Sequence, residues 1–216
     1  MASFVLLVKA VLIGFVVAIP VGALAAYVVQ LSLSGRWPRG FLAGLGGALA
    51  DTLIAGAAFY GLSLVLNWFR NHGDLLRIGG GVFLVGFGLV MVLKKPRHLP
   101  DRELSISDLS LGKGLRDLLT GFSLTIFNPA TLKAFVGIFA GFGLFGPEVV
   151  GELDELWALA LVGFGVFAGA AGWWLILTAG TGSVRHYLPD TMIAWGSRAL
   201  GIVVVLFGVG AIVDPF

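Results

Sequence analysis

Residues Leu156–Gly180 have the sequence LWALALVGFGVFAGAAGWWLILTAG, which contains no charged side chain. A helix needs about 20 largely apolar residues to cross the hydrocarbon core of a bilayer, and this run is long enough. Its apolar residues are continuous, whereas a transmembrane β-strand alternates apolar and polar positions over about ten residues. The run therefore predicts a transmembrane α-helix.

Five further windows of the same character occur in the 216-residue chain. They are Phe4–Ser34, Gly40–Leu66, Leu75–Leu93, Leu118–Phe142 and Met192–Val213. Only 12% of the residues are charged, about half the proportion in soluble domains, which excludes soluble enzymes and disordered chains. The formal net charge of +2 is too small to indicate a nucleic-acid partner. The composition predicts an all-α integral membrane protein with six transmembrane helices in a lipid bilayer.

The charges of the predicted loops indicate the orientation of the chain. Arg36 and Arg39 follow the first window, and six Lys and Arg residues lie in the long loop Lys94–Asp117. The loop between the fourth and fifth windows carries four acidic residues instead. Short loops rich in Lys and Arg stay in the cytoplasm. We therefore expect the Lys94–Asp117 loop inside the cell and both termini outside.

The two halves of the sequence resemble each other. The matching stretches are Gly14-Phe15 with Ile19-Pro20 against Gly121-Phe122 with Asn128-Pro129, and residues 77–88 against residues 198–210. Three crossings in the first half force the second half into the opposite orientation. We therefore expect two inverted three-helix repeats, residues 1–93 and 118–216, joined by a basic linker at 94–117.

Asp51 is an acidic residue in the middle of the second window. It follows Arg39 by 12 residues, or about 18 Å at 1.5 Å per residue, near the centre of a hydrocarbon core about 30 Å thick. A carboxylate at this depth costs roughly 2.5–3.5 kcal/mol and is a functional candidate by default. The alternative is a structural salt bridge or a hydrogen bond between helices. Lys133 is the candidate partner, and its depth equally allows it to bind a carboxylate or to reach the outer surface.

Two windows are interrupted in mid-membrane. Pro20 and Gly22 interrupt the first, since proline removes an amide donor and glycine tolerates unusual dihedrals; a kink satisfied by neighbouring helices is the alternative. Asn128-Pro129 interrupts the fourth. Asn is a favoured helix N-cap and Pro a favoured first residue, so a helix is expected to begin there. Breaks in corresponding helices of two repeats indicate a transporter site.

These residues, in this order and spacing, resemble the LysE/RhtB family of amino-acid exporters. The stretches that carry the resemblance are Gly14-Phe15, Ile19-Pro20-Val21-Gly22, Gly35-Arg36, Gly40, Gly44, Gly47, Ala50-Asp51, Phe127-Asn128-Pro129-Ala130-Thr131, Phe135, Phe139-Ala140-Gly141, Trp173-Trp174, Arg198, Gly201, Gly208 and Gly210. The resemblance spans nearly the whole chain. It implies a bacterial inner-membrane exporter of amino acids or related compounds, built from two inverted halves and driven by an ion gradient. Ala23 departs from the pattern, since many members have a second proline there, and we expect a less rigid first break.

The residues and the resemblance together predict a secondary exporter of an amino acid or similar small zwitterion, and not an enzyme. The half-helix starts at Val21–Gly22 and Asn128–Pro129 are expected to bind the carboxylate, as helix N-termini bind anions. Asp51 is expected to hold the ammonium group or the coupling ion, which is a proton or sodium. The other candidate substrate-binding residues are Pro20, Thr131, Lys133, Trp173 and Trp174.

Two alternative functions are a divalent-cation exporter of the same superfamily and a membrane subunit without transport activity. A single intramembrane acid supplies too few ligands for a divalent cation that takes six or more oxygens. A subunit without transport activity would leave Asp51 and Asn128 without a role. The chain has no cysteine, and its three histidines fall in predicted loops. We therefore expect neither a cofactor nor a metal site. The sequence leaves a homo-oligomer open.

Overall fold

The structure, a computed structural model, describes residues 2–19, 22–93, 110–128, 131, 153–185 and 187–213, with residues 60–77 and 190 described by their backbone alone. The described helices are α1 (Ala2–Ala18), α2 (Ala23–Leu33), α3 (Trp37–Leu93), α4 (Leu111–Ile126), α5 (Glu155–Arg185) and α6 (Asp190–Val213). None of the residues in these ranges lies in a strand. The prediction of an all-α fold is confirmed.

Several of these helices have the length and composition to cross a membrane. Trp37–Phe59 within α3, the whole of α5, and Thr191–Val213 within α6 each pass this test alone. α1 and α2 pass it together, as one span with a bend of 77°, and Ile78–Leu93 within α3 is apolar but shorter. The break between α1 and α2 falls where the sequence predicts one.

α3 differs from the expected arrangement, because one helix of 57 residues covers both the second and the third predicted windows. The polar stretch 67–74 between these windows contains no proline. Polar side chains leave the backbone hydrogen bonds of a helix intact, whereas proline removes one. The charge pattern that marks a loop in the sequence is therefore compatible with a helical backbone.

α3 is not straight. Gly47 packs against the side chain of Leu24, and the ring of Phe87 lies 5.2 Å from the ring of Tyr27, which is one turn further along α2. A straight helix would place Gly47 and Phe87 about 60 Å apart. The first and last parts of α3 therefore lie side by side against α2, as two separate transmembrane windows would.

α1 and α5 meet backbone to backbone at two glycines. A Cβ atom on Gly14 would overlap the carbonyl oxygen of Val166, and a Cβ atom on Gly169 would overlap that of Val11. Glycine is required where two helix backbones approach this closely. We call this contact the α1–α5 crossing.

The same contact occurs between α3 and α4. A Cβ atom on Gly121 would overlap the carbonyl oxygen of Ala43, and one on Gly46 would overlap that of Leu118. The two crossings are related by constant shifts in residue number. Each α1 residue corresponds to the α4 residue 107 positions later, and each α5 residue corresponds to the α3 residue 123 positions earlier. Each residue near one crossing therefore has a counterpart near the other.

The last part of α3 packs on α6 with a similar symmetry. A Cβ atom on Gly88 would lie 2.7 Å from the backbone nitrogen of Val205, and one on Gly208 would lie 2.7 Å from that of Val85. These contacts relate residues 120 positions apart, so Gly88 corresponds to Gly208. The sequence similarity alone pairs Gly88 with Gly210, two residues out of this register.

The α3–α4 crossing makes a prediction about stability. Gly121→Ala should destabilise the protein by about 1–3 kcal/mol, the usual cost of forcing extra volume into a packed interior. Gly112→Ala, on the same helix, is the matched control, because nothing lies within 4 Å of its Cβ position. Melting temperatures in detergent measure the difference, and equal values for the two variants would contradict the backbone contact.

Candidate functional site

Asp51 is buried in the middle of the first part of α3. Only 3% of its surface is exposed, and its Oδ1 atom has no hydrogen-bond partner within the described ranges. A buried carboxylate oxygen without a partner costs free energy, and in native proteins such groups call for an explanation. An acceptor in this position is available to a ligand.

The surroundings of Asp51 bring the two helix breaks together. Gly47, one turn before Asp51, packs against Leu24 near the start of α2. Ile54, on the other side of Asp51, belongs to an apolar cluster against which Ile126, the last residue of α4, packs. A Cβ atom on Gly47 would also lie 3.1 Å from Oγ1 of Thr125, in the last turn of α4. The beginning of α2 and the end of α4 therefore meet on α3 one turn before Asp51.

The first break exposes the start of a helix. Gly22 precedes α2 in an extended conformation, and no side-chain hydrogen bond caps the helix. The carbonyl oxygen of Gly22 accepts the first bond of α2 from the amide of Ala26 at 3.0 Å. The initial amides of such a helix lack partners within it, and they carry the positive end of the helix dipole. Pro20 and Val21 lie outside the described residues.

The second break restarts a helix at the predicted place. α4 ends at Ile126, and Thr131 is helical again. Between them Asn128 is buried, and its carbonyl oxygen accepts a hydrogen bond from the amide of Thr131 at 3.1 Å. The new helix therefore begins after Asn128, while Pro129 and Lys133 lie outside the described residues.

The paired tryptophans lie in the same interior. Trp174 is 3% exposed and packs over Gly44, about 10 Å from Asp51 along α3. Trp173 meets Phe15 edge to face, with ring centroids 5.6 Å apart. Neither indole N–H has a partner in the part of the chain that the structure describes. Trp174 lies 123 residues after Asp51, the same shift that relates the two glycine crossings. A donor and an acceptor, both without partners among the described residues, thus occupy corresponding positions.

A buried ion pair joins α3 to α4. Nε of Arg39 lies 2.5 Å from Oδ2 of Asp117, and Nη2 of Arg39 donates to Oδ1 at 2.8 Å. The hydroxyl of Tyr27 donates to the same Oδ1 at 3.3 Å. Asp117 is completely buried, and three donors thus converge on one carboxylate. We call these three residues the Arg39 cluster.

The turn between α2 and α3 holds Arg39 in this place. Gly35 has a φ of +70°, in the left-handed region that favours glycine. The amides of Gly35 and Arg36 donate to the carbonyls of Ser32 and Leu31 at 3.1 and 3.0 Å, which is the Schellman ending of a helix. α3 begins at Trp37, directly after Arg36, and Arg39 is in its first turn.

The sequence prediction missed the Arg39 cluster, because Arg39 and Asp117 both stood at the ends of predicted windows and were assigned to loops. One signal was available. Asp117, Gly121 and Leu124 are spaced by four and three residues and form the buried face of α4. Such spacing marks one face of a helix, and an acid on it needs a partner.

The described residues contain no group of three or more His, Asp or Glu side chains arranged to hold a metal ion. Among the described residues, the buried side-chain atoms without a hydrogen-bond partner include Oδ1 of Asp51 and the two indole N–H donors, and the start of α2 has no side-chain cap. This set suits a ligand with both cationic and anionic groups.

Comparisons with known proteins agree on the type of protein. The chain is 26% identical over 200 residues to the uncharacterized membrane protein YahN of Escherichia coli strain K12, covering 89% of this chain and 82% of that protein. No solved structure matches it. The profile of the LysE type translocator family matches residues 15–214, almost the whole sequence. The chain therefore belongs to the LysE type translocator family.

Proposed function

We propose that the protein is a secondary-active exporter of an amino acid or a similar small zwitterion across the bacterial inner membrane. Membership of the LysE type translocator family supports a membrane transporter and not an enzyme. The observation that carries the proposal is the buried carboxylate of Asp51 near two helix breaks, with an Oδ1 atom that has no hydrogen-bond partner among the described residues. A carboxylate and two helix starts complement the ammonium and carboxylate groups of an amino acid.

In this proposal each polar group has a role. The amides at Gly22 and after Asn128 bind the carboxylate of the substrate, with Pro20, Val21, Pro129 and Thr131 shaping the two helix starts. Asp51 holds the ammonium group or carries the coupling proton or sodium. Trp173 and Trp174 line the pathway, and Lys133 pairs with Asp51 or contacts the substrate.

The same proposal includes six crossings in two inverted repeats, with both termini outside the cell. The matching contacts at the two glycine crossings support it, since an inverted repeat makes each contact twice. In the orientation that the loop charges predict, the Arg39 cluster lies at the cytoplasmic side. The two repeats rock against each other around the central site, as in other transporters with this architecture.

The test is a transport assay in proteoliposomes with an imposed pH or sodium gradient. Radiolabelled amino acids and divalent metal ions are offered one at a time. We expect gradient-driven movement of at least one amino acid and of none of the metal ions. Movement of a metal ion without any amino acid would replace the proposal with the divalent-cation exporter.

A further inference from the structure

The Arg39 cluster consists of a binding site for a carboxylate and a carboxylate that occupies it. The two residues that donate, Arg39 on α3 and Tyr27 on α2, belong to the first half of the chain. The acceptor, Asp117, comes from α4 in the second half. A guanidinium that donates through two nitrogens matches a carboxylate in geometry as well as in charge. The first half therefore carries a preformed carboxylate site, and the second half fills it.

The α1–α5 crossing shows whether this kind of helix contact needs an ion pair for structural reasons. Applying the shifts of 107 and 123, the counterparts of Asp117 and Arg39 are Ala10 and Val162. Both are buried in one apolar cluster at the α1–α5 crossing. The same backbone contact is thus built there without any charge. Because a buried ion pair rarely stabilises more than apolar packing does, the packing of the α3–α4 crossing gives no reason for the Arg39 cluster.

We infer that Arg39 and Tyr27 bind the carboxylate of the substrate at the cytoplasmic entrance, and that Asp117 occupies this site while the α3–α4 crossing is closed. The inference rests on the proposed function. When the crossing opens, Asp117 leaves with α4, and Arg39 and Tyr27 stay together on the first half. The carboxylate of the substrate then replaces that of Asp117 before the substrate moves inward to Asp51, about 18 Å further along α3.

Closure of the crossing can be measured by a disulfide. The chain has no cysteine, so Leu42→Cys and Gly114→Cys introduce a single reactive pair. A Cβ atom on Gly114 would lie 3.1 Å from Cδ1 of Leu42, so the two positions face each other while the crossing is closed, and a disulfide joins them when their Cβ atoms come within about 4.5 Å. The rate of oxidation by copper phenanthroline is measured in purified protein. It is compared without ligand, with a mixture of the common amino acids, and with the corresponding amino-acid amides, which lack the carboxylate.

We expect the amino acids to slow disulfide formation about tenfold, the factor for one bidentate charge-assisted contact, and the amides to leave the rate unchanged. Arg39→Gln should abolish the response, and Arg39→Lys, which keeps the charge without the fork, should weaken it. Lys113→Gln is the matched control, because it removes an exposed cation from the same end of α4 and should respond like the parent. Asp117→Asn removes the competing carboxylate, so its half-maximal response should need a roughly tenfold lower amino-acid concentration.

Equal slowing by the amides, or a full response in Arg39→Gln, would overturn the inference. The proteoliposome assay separates this failure from failure of the proposed function. If amino acids are exported but the oxidation rate shows no Arg39-dependent change, the exporter proposal holds and the assignment of Arg39 and Tyr27 as a carboxylate-binding site is wrong. The absence of any amino-acid export removes both.

Discussion

Replacing Asp51 with asparagine should abolish gradient-driven export while the protein still inserts and folds. Asn keeps the shape of the side chain and removes both the charge and the titratable proton. We expect at least a tenfold loss of transport, since hydrogen bonds to charged groups contribute about 1.5–3 kcal/mol. The melting temperature should stay equal or rise, because the variant no longer buries a carboxylate whose Oδ1 has no partner in the described part of the chain.

Glu155→Gln is the control for this substitution, since it neutralises an exposed acid at the start of α5 and should leave export unchanged. A structural role for Asp51 predicts a different result. If Asp51 only neutralises Lys133, Asp51→Asn should lower the melting temperature, because an unpaired buried lysine remains. The double variant Asp51→Asn with Lys133→Met should then restore it. Normal export by a stable Asp51→Asn protein would remove Asp51 from the proposed site.

Locking the α3–α4 crossing with the Leu42→Cys and Gly114→Cys disulfide should stop export almost completely. In the proposed orientation this crossing lies on the cytoplasmic side, which an exporter must open to load substrate. A covalent bond across the crossing would hold that side closed. Oxidised protein in proteoliposomes should be inactive, and a reductant should restore export to the level before oxidation.

A second cysteine pair serves as the control for this experiment. Leu42→Cys with Gly112→Cys places the second thiol where nothing lies within 4 Å of the Cβ position, so it should neither cross-link nor lose activity on oxidation. Full export by the cross-linked Leu42–Gly114 protein would show that this crossing does not open during transport.

The sequence predicted those parts of the fold that depend on local chemistry. Continuous apolar runs predicted the helices, because a segment in lipid must satisfy its backbone hydrogen bonds within itself. The break after α4 was also predictable, since Asn and Pro each favour a helix start for reasons contained in one or two residues. The same is true of Asp51, whose burial follows from its depth in an apolar run.

The rest depends on which faces meet, and the sequence contains many near-equivalent choices. With 33 glycines in the chain, several registers pair glycine with glycine, and the one that pairs Gly88 with Gly208 is fixed only by contact with α6. The partner of Asp117 could not be predicted from the sequence for a similar reason. Arg39 is 78 residues away, and only the packing of α3 on α4 brings the two together.

The difference between the two crossings has a consequence for the concentration at which export begins. Three hydrogen bonds close the α3–α4 crossing, which lies on the cytoplasmic side in the proposed orientation, whereas its counterpart is closed by Ala10 and Val162 in an apolar cluster. In the closed state Asp117 occupies the site formed by Arg39 and Tyr27, so the substrate has to displace this carboxylate before it can load. If the cluster favours this state by about 1.5–3 kcal/mol, the fraction ready to load is small, and the apparent dissociation constant rises in proportion, roughly ten- to hundredfold. Such a carrier exports little at ordinary metabolite levels and becomes active when its substrate accumulates, so the Arg39 cluster itself would set the concentration at which export begins.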